Sequence, residues 1–262
     1  MSENKLHTLQ NKHALVTGGG TGIGYAIAQL LLSQGIKVTI AGRKEAALIS
    51  ACERLASFGH VAYVCMDVCD ETSIQTGFIT ACAHFGHVEI LINNAGQADA
   101  IPFMKIELAQ WQHLLNVNLT GTFLCTQQVL PAMLENGWGR IINIASTAGK
   151  KGYAYVAAYC AAKHGVIGMT RALALEVATK GVTVNAVCPG YTETDMLQQA
   201  VDIIVQKTGR TAEQAREHMA SQSPQHRLVQ VDEVAQAVLF LCAPSSLSLT
   251  GQAIAIAGGE VM

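Results

Sequence analysis

Tyr159 and Lys163 stand four residues apart and carry side chains that could together move a proton. Four residues are slightly more than one helical turn, so in a helix both side chains project from the same face. A phenol normally loses its proton at about pH 10. An ammonium fixed one turn away favours the phenolate and lowers that pKa toward the working range. The pair therefore predicts a general acid or base, although in an arbitrary helix such a pair is more often a surface feature.

The composition is typical of a compact α/β protein and excludes several other classes. Of the 262 residues 50% are hydrophobic and only 14% are charged, with 24 Gly and 5 Pro. Such a chain can bury a full core and does not match disordered or fibrous proteins. The net charge of −2 provides no basic surface for nucleic acid. No apolar run reaches the roughly 18 residues that a membrane span requires.

The amino terminus and the cysteines indicate the compartment. Residues 1–6 have neither the basic start nor the apolar core of a signal peptide. We expect them to form a short polar arm on a cytoplasmic protein. Eight cysteines are scattered without a Cys-x-x-Cys motif, and no nearby His or Cys pair joins Cys65 and Cys69 in a zinc site. They are interpreted as free thiols in a reducing compartment, and no metal is expected.

Short apolar segments alternate with helical stretches along most of the chain. The segments are 13–17, 37–41, 61–65, 89–92, 139–144, 182–187 and 253–257. Strands that are apolar on both faces and separated by helices predict a doubly wound, seven-stranded parallel sheet with helices on both faces. We expect a single domain over residues 1–262. One helical stripe between the third and fourth strands consists of Ile74, Phe78, Ile79, Cys82 and Phe85.

The segment from Asp195 to Gln230 interrupts this alternation, since it is polar, rich in Gln and without strand character. Two interpretations remain open. The region of about 191–230 is long enough to be a mobile lid over the substrate site. Alternatively, it is a helical hairpin that serves packing only.

The first predicted strand runs directly into Thr-Gly-Gly-Gly-Thr-Gly-Ile-Gly, residues 17–24, and then into a helix. Glycines at a strand-to-helix turn let the backbone approach a pyrophosphate, which the helix N-terminus attracts. No Lys-Ser or Lys-Thr follows, so the turn is not a nucleoside-triphosphate loop. The predicted contacts are Gly18, Gly20, Thr21, Gly22, Ile23 and Gly24. A tight turn without a ligand is the alternative.

Arg43 and Lys44 follow the second predicted strand, where a site for NAD usually has an Asp or Glu that binds the ribose diol. Their cations suit the 2′-phosphate of NADPH. NADP(H) is therefore the preferred cofactor and NAD(H) remains possible, because dual-specificity sites also tolerate arginine. A solvated charged turn is the other interpretation.

Four motifs in order carry a family resemblance. They are the glycine turn of residues 17–24, Asn-Asn-Ala-Gly at 93–96, Tyr159-x-x-x-Lys163, and Pro189-Gly190-x-x-x-Thr194. With these motifs the chain resembles the short-chain dehydrogenases/reductases along essentially its whole length. The resemblance implies a single-domain Rossmann fold and a nicotinamide dinucleotide cofactor. It also implies a catalytic tetrad: Asn118, Ser146, Tyr159 and Lys163. Asn116 is the alternative to Asn118.

The resemblance also implies a role for each of these residues. Tyr159 would donate a proton to a carbonyl oxygen as that carbonyl is reduced, and Ser146 would hydrogen-bond the developing alkoxide. Lys163 would lower the tyrosine pKa and hold the nicotinamide ribose, and Asn118 would position a water that resupplies protons. Further implied cofactor contacts are Asp67, Val68, Asn94, Ala95, Gly96, Pro189, Gly190, Thr192 and Thr194. The alternative for Asn94 is a buried amide that ties neighbouring strands together.

Residues 145–152 and 163–168 look most like those of 3-oxoacyl-thioester reductases and of aromatic polyketide ketoreductases. The latter often carry Pro-Gly-Gly where this chain has Ala98-Asp99-Ala100, which favours a 3-oxoacyl thioester on CoA or an acyl carrier protein. Lys150 and Lys151 then either meet the phosphates of the carrier or form a solvated pair.

The leading hypothesis is NADPH-dependent reduction of a 3-oxoacyl thioester. The alternatives are an NAD-dependent 3-hydroxyacyl-CoA or secondary alcohol dehydrogenase, a polyketide ketoreductase, and a catalytically silent NAD(P)-binding sensor. Partners would be a small-molecule carbonyl substrate, with no nucleic acid and no membrane. Family relatives are commonly tetramers, so we expect a homotetramer.

Overall fold

The computed structural model describes residues 9–262, and the polar arm predicted for residues 1–6 lies outside this range. The strands are β1 (His13–Thr17), β2 (Lys37–Gly42), β3 (Val61–Cys65), β4 (Ile90–Asn93), β5 (Gly139–Ile144), β6 (Val182–Pro189) and β7 (Ala253–Ile256). The helices are α1 (Gly22–Ser33), α2 (Glu45–Leu55), α3 (Glu71–Phe85), α4 (Leu108–Leu115), α5 (Gly121–Glu135), α6 (Ala157–Val177), α7 (Asp195–Thr208), α8 (Ala212–Ala220) and α9 (Val231–Cys242).

All seven strands form one parallel sheet in the order β3-β2-β1-β4-β5-β6-β7. The order reverses between β1 and β4, where Val16 pairs with Ile40 on one side and Ile92 on the other. The predicted seven-stranded, doubly wound sheet is therefore confirmed. The β1/β4 junction is the topological switch point at which such sheets bind ligands.

Helices cover both faces of the sheet. Successive residues of each strand point to opposite sides, so neighbouring residues pack against different helices. Val16 joins a core cluster with residues of α1, α2 and α9, whereas Leu15 joins a second cluster with residues of α3, α5 and α6. Both side chains are 0% exposed. Strands buried on both faces explain why their sequences are continuously apolar.

The stripe expected on α3 is wrong in one position. Ile79 is 72% exposed, and the buried positions are Ile74, Gly77, Phe78 and Ala81. One residue is a 100° step around a helix, so Ile79 lies beyond the edge of the face that holds Phe78. The small Ala81 completes the buried face instead.

Residues 191–230 contain a helical hairpin, α7 and α8, with a small core of its own made by Leu197, Val201, Ala215 and Met219. Thr194 caps α7 by accepting a hydrogen bond from the Leu197 N–H. Thr211 forms a capping box with Gln214 at the start of α8. The polar residues of this segment lie on the outer faces of α7 and α8. The segment lacks strand character because it is helical.

Within residues 9–262, no group of three or more His, Cys, Asp or Glu side chains is arranged to hold a metal ion. Among the helices over the same range, none combines the length and apolarity needed to cross a membrane.

Candidate active site

The glycine turn joins β1 to α1 and depends on glycine for two different reasons. Gly18 and Gly22 have φ values of +64° and +52°, a region that side-chain-bearing residues rarely adopt. At Gly24 the conformation is ordinary, but a Cβ would lie 2.3 Å from the Gly18 carbonyl oxygen and 2.5 Å from Asn94 Nδ2. The helix therefore starts in direct contact with the turn.

The N-terminus of α1 offers its backbone amides to an anion. Thr21 is the N-cap residue, with an extended backbone, and its side chain does not cap the helix. No acidic residue stands in the first turn, where Ile23 lies. Uncapped N–H groups and the helix dipole together favour a pyrophosphate at this point. The turn thus fits the dinucleotide that the sequence predicts.

Asn94 ties the end of β4 to the glycine turn. Its Nδ2 donates to the main-chain oxygens of Thr17, at 2.9 Å, and Gly18, at 3.2 Å. In return, Thr17 Oγ1 accepts hydrogen bonds of 2.9 Å from the backbone N–H groups of Asn94 and Ala95. The amide of Asn94 therefore has the strand-tying role that was the alternative to cofactor contact.

A cleft of about 160 Å³ opens at the β1/β4 switch point. Its lining residues are Thr17, Gly18, Ala41, Gly42, Arg43, Met66, Asp67, Val68, Ala95, Gly96, Gln97 and Val117. Arg43 is exposed at the end of β2, and no carboxylate takes the place expected of an NAD site. Asp67 accepts a 2.9 Å hydrogen bond from the Cys69 N–H, which fixes its carboxylate in the β3–α3 loop.

The loop after β6 reaches over to the glycine turn. Thr194 Oγ1 donates to the Thr192 carbonyl at 3.2 Å. Its methyl carbon lies 3.3 Å from where a Cβ on Gly22 would stand. Thr192 in turn donates to the Gly190 carbonyl at 3.0 Å, and the Gly190 N–H bonds to Ile256 of β7 at 3.0 Å. The motif Pro189–Thr194 therefore lies against the glycine turn at the carboxyl end of β1.

Lys163 and Tyr159 project from one face of α6, as predicted. Lys163 is 3% exposed, and its Nζ donates to the Ile144 carbonyl at 2.8 Å. The same Nζ lies 5.6 Å from the centroid of the Tyr159 ring. Ser146 lies two residues after the end of β5 and accepts a 3.1 Å hydrogen bond from the Ala148 N–H. The three side chains meet where β5 ends and α6 begins.

The pKa of Tyr159 moves in the opposite direction to the one expected from its spacing to Lys163. Burial raises it to about 12, and hydrogen bonding with the Ser146 side chain opposes this only in part. Burial also lowers the pKa of Lys163 to about 8. The predicted lowering of the tyrosine pKa is therefore wrong for this structure, because desolvation dominates both groups.

Asn118 lies in a single π-helical turn, Asn116–Thr120, that joins α4 to α5. It is 0% exposed, and its Nδ2 donates to the carbonyls of Gln97, at 2.8 Å, and Leu114, at 2.9 Å. A Cβ on Gly96 would lie 2.9 Å from Asn118 Oδ1 and 3.6 Å from Lys163 Nζ, so both groups flank this glycine. Asn116 is exposed, so Asn118 is the asparagine that the structure directs inward.

Lys150 and Lys151 are engaged within the chain. Lys150 Nζ donates to the Ala253 carbonyl at 3.3 Å, and Lys151 pairs with Glu260 at 3.1 Å. The interpretation in which both lysines meet carrier phosphates is therefore unsupported, and so is a freely solvated pair.

From the sequence, no individual role was predicted for three residues at this site. Gln97 holds Asn118 through its main chain, and Tyr153 and Glu260 form a half-buried contact beside Thr147. Only Glu260 has a signal in the sequence, since its carboxylate comes directly after the Gly258–Gly259 pair.

Comparisons with known proteins identify the family. The family model for short chain dehydrogenases matches residues 12–205. A putative ketoacyl reductase of Streptomyces coelicolor is 39% identical over 256 residues, covering 96% of this chain and 98% of that protein. A 3-oxoacyl-[acyl-carrier-protein] reductase of Aquifex aeolicus is 39% identical over 253 residues, with shares of 96% and 98%. D-beta-hydroxybutyrate dehydrogenase of Cupriavidus necator is 37% identical over 255 residues, with shares of 97% and 99%.

A solved structure is similar over the same length. A variant of actinorhodin polyketide ketoreductase, crystallised with NADPH, superposes with a TM-score of 0.92 at 38% identity, covering 95% of this chain and 97% of that one. The chain therefore belongs to the short-chain dehydrogenase family. It is an oxidoreductase that interconverts an alcohol and a carbonyl with a nicotinamide dinucleotide.

Proposed function

We propose that this protein reduces the keto group of a 3-oxoacyl thioester to the 3-hydroxyacyl product with NADPH. The observation that carries the proposal is a half-buried Tyr159 that hydrogen-bonds the Ser146 side chain and whose pKa desolvation raises to about 12. A phenol with that pKa keeps its proton at neutral pH and has it available for a carbonyl oxygen that gains charge.

Each member of the tetrad has a separate task in this proposal. Tyr159 donates the proton, and Ser146 donates a hydrogen bond to the same oxygen. Lys163 holds the cofactor's ribose from a position fixed by Ile144, and Asn118 fixes the loop at Gln97. Hydride transfer is the chemistry that the reduced nicotinamide supplies when bound. The chain contributes orientation, exclusion of water and the proton.

The remaining cofactor contacts are assigned to three parts of the dinucleotide. We assign the pyrophosphate to Gly18, Gly20, Thr21, Gly22, Ile23 and Gly24. We assign the adenosine half to Arg43, Asp67, Val68, Ala95 and Gly96, which line the cleft. We assign the nicotinamide end to Pro189, Gly190, Thr192 and Thr194, supported by the contact of Thr194 with Gly22. Asn94 contributes by fixing the turn.

NADPH is proposed over NADH because Arg43 follows Gly42, the last residue of β2, at the position where a site for NAD usually has an Asp or Glu. The similar actinorhodin ketoreductase was solved with NADPH, which supports the same choice. The thioester class is supported by the names of relatives, which include 3-oxoacyl-[acyl-carrier-protein] reductases and ketoacyl reductases.

Three further features complete the proposal. Residues 191–230 act as a lid, because this hairpin rises directly from the Pro189–Thr194 loop. The protein works as a homotetramer in a reducing cytoplasm, in keeping with eight cysteines that are all free thiols. Its substrate is carried on CoA or on an acyl carrier protein.

The test is turnover of acetoacetyl-CoA with NADPH or NADH, followed by the absorbance of the reduced nicotinamide. We expect oxidation of NADPH that depends on the thioester, and loss of at least about a hundredfold in kcat for Tyr159→Phe. Cofactor binding without turnover on any carbonyl would leave the silent-sensor alternative.

The second candidate is the reverse reaction, oxidation of a 3-hydroxyacyl substrate with NAD. It is favoured by the similarity to D-beta-hydroxybutyrate dehydrogenase, 37% identical over 255 residues. Incubation with 3-hydroxybutyrate or 3-hydroxybutyryl-CoA and NAD⁺ separates the two. Faster turnover in that direction at neutral pH would replace the first proposal.

A further inference from the structure

Glu260, two residues before the chain end, carries a buried carboxylate that the proposed mechanism does not use. Its side chain is 1% exposed and pairs with Lys151 Nζ at 3.1 Å. The same oxygen, Oε1, accepts a hydrogen bond from the hydroxyl of Tyr153. Lys151 also lies over the Tyr153 ring, 4.8 Å from its centroid. A buried carboxylate is costly unless such partners compensate it, so this arrangement is a built network.

The protons of this network can be assigned from its chemistry. Tyr153 Oη lies 2.7 Å from Thr147 Oγ1 as well as next to Glu260. A phenol has one proton, and a carboxylate is the stronger acceptor. Tyr153 therefore donates to Glu260, and the Thr147 hydroxyl donates to Tyr153. The result is a directed chain from Thr147 to Glu260.

The chain begins beside the proposed catalytic serine. Thr147 follows Ser146 and opens the short 3₁₀ turn Thr147–Gly149. Main-chain bonds from Gly149 to Ser146 and from Lys150 to Thr147, both 2.9 Å, form this turn. A side-chain connection runs from Thr147 through Tyr153 to Glu260 in the carboxyl-terminal segment, beside the Lys150–Ala253 and Lys151–Glu260 contacts that follow the turn.

The same network touches the loop on the opposite side of the site. The Tyr153 and Tyr191 rings meet edge to face with centroids 6.4 Å apart. A Cβ on Gly190 would lie 3.0 Å from Glu260 Oε2. Tyr153 and Glu260 therefore stand between the Ser146 turn, which follows β5, and the Pro189–Tyr191 loop, which follows β6.

We propose that Glu260 is a positioning residue for carbonyl reduction, acting on Ser146 through Tyr153 and Thr147. The carboxyl-terminal segment is thereby part of the active site, since it holds the turn with the alkoxide partner at a fixed distance from the nicotinamide loop. This inference rests on the proposed function, because Ser146 matters to turnover only if the protein reduces a carbonyl. None of the four family motifs contains Glu260 or Tyr153.

Two substitutions and their combination test the network in the full-length protein. Tyr153→Phe deletes the connecting hydroxyl and leaves the Lys151–Glu260 pair in place. Glu260→Gln keeps the shape and removes the charge. The matched control is Glu233→Gln, because Glu233 also pairs with a cation, Arg227, but on α9 away from the cleft. The measurements are kcat, KM, the NADPH Kd by fluorescence, and amide hydrogen exchange across residues 147–151.

We expect each single variant to lower kcat about tenfold, with KM and the NADPH Kd within about twofold of the unsubstituted protein. The double variant should fall no further than the worse single, since both act through one chain. Amide exchange over 147–151 should accelerate in all three and stay unchanged in Glu233→Gln.

Three results would overturn the inference. They are kcat within about twofold for Tyr153→Phe, losses that multiply in the double variant, and an equal loss in Glu233→Gln. If Glu260→Gln does not fold, Tyr153→Phe alone decides, because it removes a single oxygen. If the unsubstituted protein reduces no carbonyl, the proposed function fails, whereas hydrogen exchange still decides whether Glu260 orders the turn.

Discussion

Lys163 on α6 donates a 2.8 Å hydrogen bond to the carbonyl of Ile144, the last residue of β5. This bond joins the helix that carries Tyr159 to the strand end that leads into Ser146. The ammonium is 3% exposed and has no carboxylate partner among the described residues. Burial therefore lowers its pKa to about 8. Burial of the Lys163 ammonium therefore lowers the free energy of unfolding by an amount that depends on pH.

The first prediction concerns Lys163→Met, which keeps most of the side-chain stem and removes the charge. The unfolded lysine titrates at its ordinary value of 10.5, and the folded one at about 8. Between these values the unfolded state binds more protons, so the free energy of unfolding of the unsubstituted protein rises with pH. Below about pH 8 the cost of burying the charge is fully present. The variant lacks that cost.

We therefore expect Lys163→Met to have a larger free energy of unfolding at neutral pH, by on the order of 2 kcal/mol. The difference should shrink as pH rises through the window from about 8 to 10.5. Urea unfolding at several pH values measures it. A difference independent of pH would show that the ammonium is not desolvated, whereas loss of turnover alone would leave this point unaffected.

The second prediction compares two glycines of the same turn. Gly24→Ala places a Cβ 2.3 Å from the Gly18 carbonyl oxygen, whereas the nearest atom to a Cβ on Gly20 is Leu48 Cδ2 at 3.6 Å. The first is a clash with backbone, and the second is an ordinary contact. We expect Gly24→Ala to lower the free energy of unfolding by about 2 kcal/mol or more. Gly20→Ala should change it by less than about 0.5 kcal/mol. Thermal unfolding with and without NADPH checks both, and equal effects would contradict the close turn–helix contact.

The third prediction separates the two candidate asparagines. Asn118→Ala leaves the Gln97 carbonyl and N–H without their partner and opens space in the core. We expect a loss of about 2 kcal/mol in the free energy of unfolding, with kcat reduced at least about tenfold. Asn116 is exposed, and its side chain bonds only Thr120, at 3.4 Å. Asn116→Ala should change neither quantity measurably. A larger effect at Asn116 would reverse the assignment.

The sheet was predictable because its signal is local and repeated. Each strand is a short apolar run, and two-sided burial of residues such as Leu15 and Val16 requires that run. The burial of Ile79 was mispredicted, because the sequence does not define the edge of an apolar stripe to within one residue. The hairpin α7–α8 also carries a local signal, because Leu197, Ala200, Val201, Ile204 and Val205 recur at helical spacing and pack in its small core.

In the candidate site, the grouping of the side chains was predictable but their electrostatics were not. Spacing places Tyr159 and Lys163 on one face, yet the pKa of each depends on burial by elements distant in sequence. The directed contact from Thr147 through Tyr153 to Glu260 joins residues more than a hundred positions apart. No local pattern encodes such a contact. Likewise, the pairing of Lys151 with Glu260 appears only when β7 is placed beside β6.

The last prediction concerns the choice between NADPH and NADH at Arg43, which lines the cleft at the end of β2. A guanidinium bonds a 2′-phosphate, and its removal leaves the ribose diol of NADH unaffected. For Arg43→Leu we expect the KM for NADPH to rise about tenfold, equivalent to about 1.4 kcal/mol. The KM for NADH should stay within about twofold.

Arg54→Leu is the control. Arg54 stands in the last turn of α2 and lies over the Tyr25 ring, so this substitution removes the same charge outside the cleft. The NADPH effect at Arg43 should also weaken as salt is raised, because an exposed charge pair is screened. Steady-state kinetics with both cofactors at low and high ionic strength measures this. If the unsubstituted protein prefers NADH, or if Arg43→Leu weakens both cofactors equally, Arg43 does not read the 2′-phosphate.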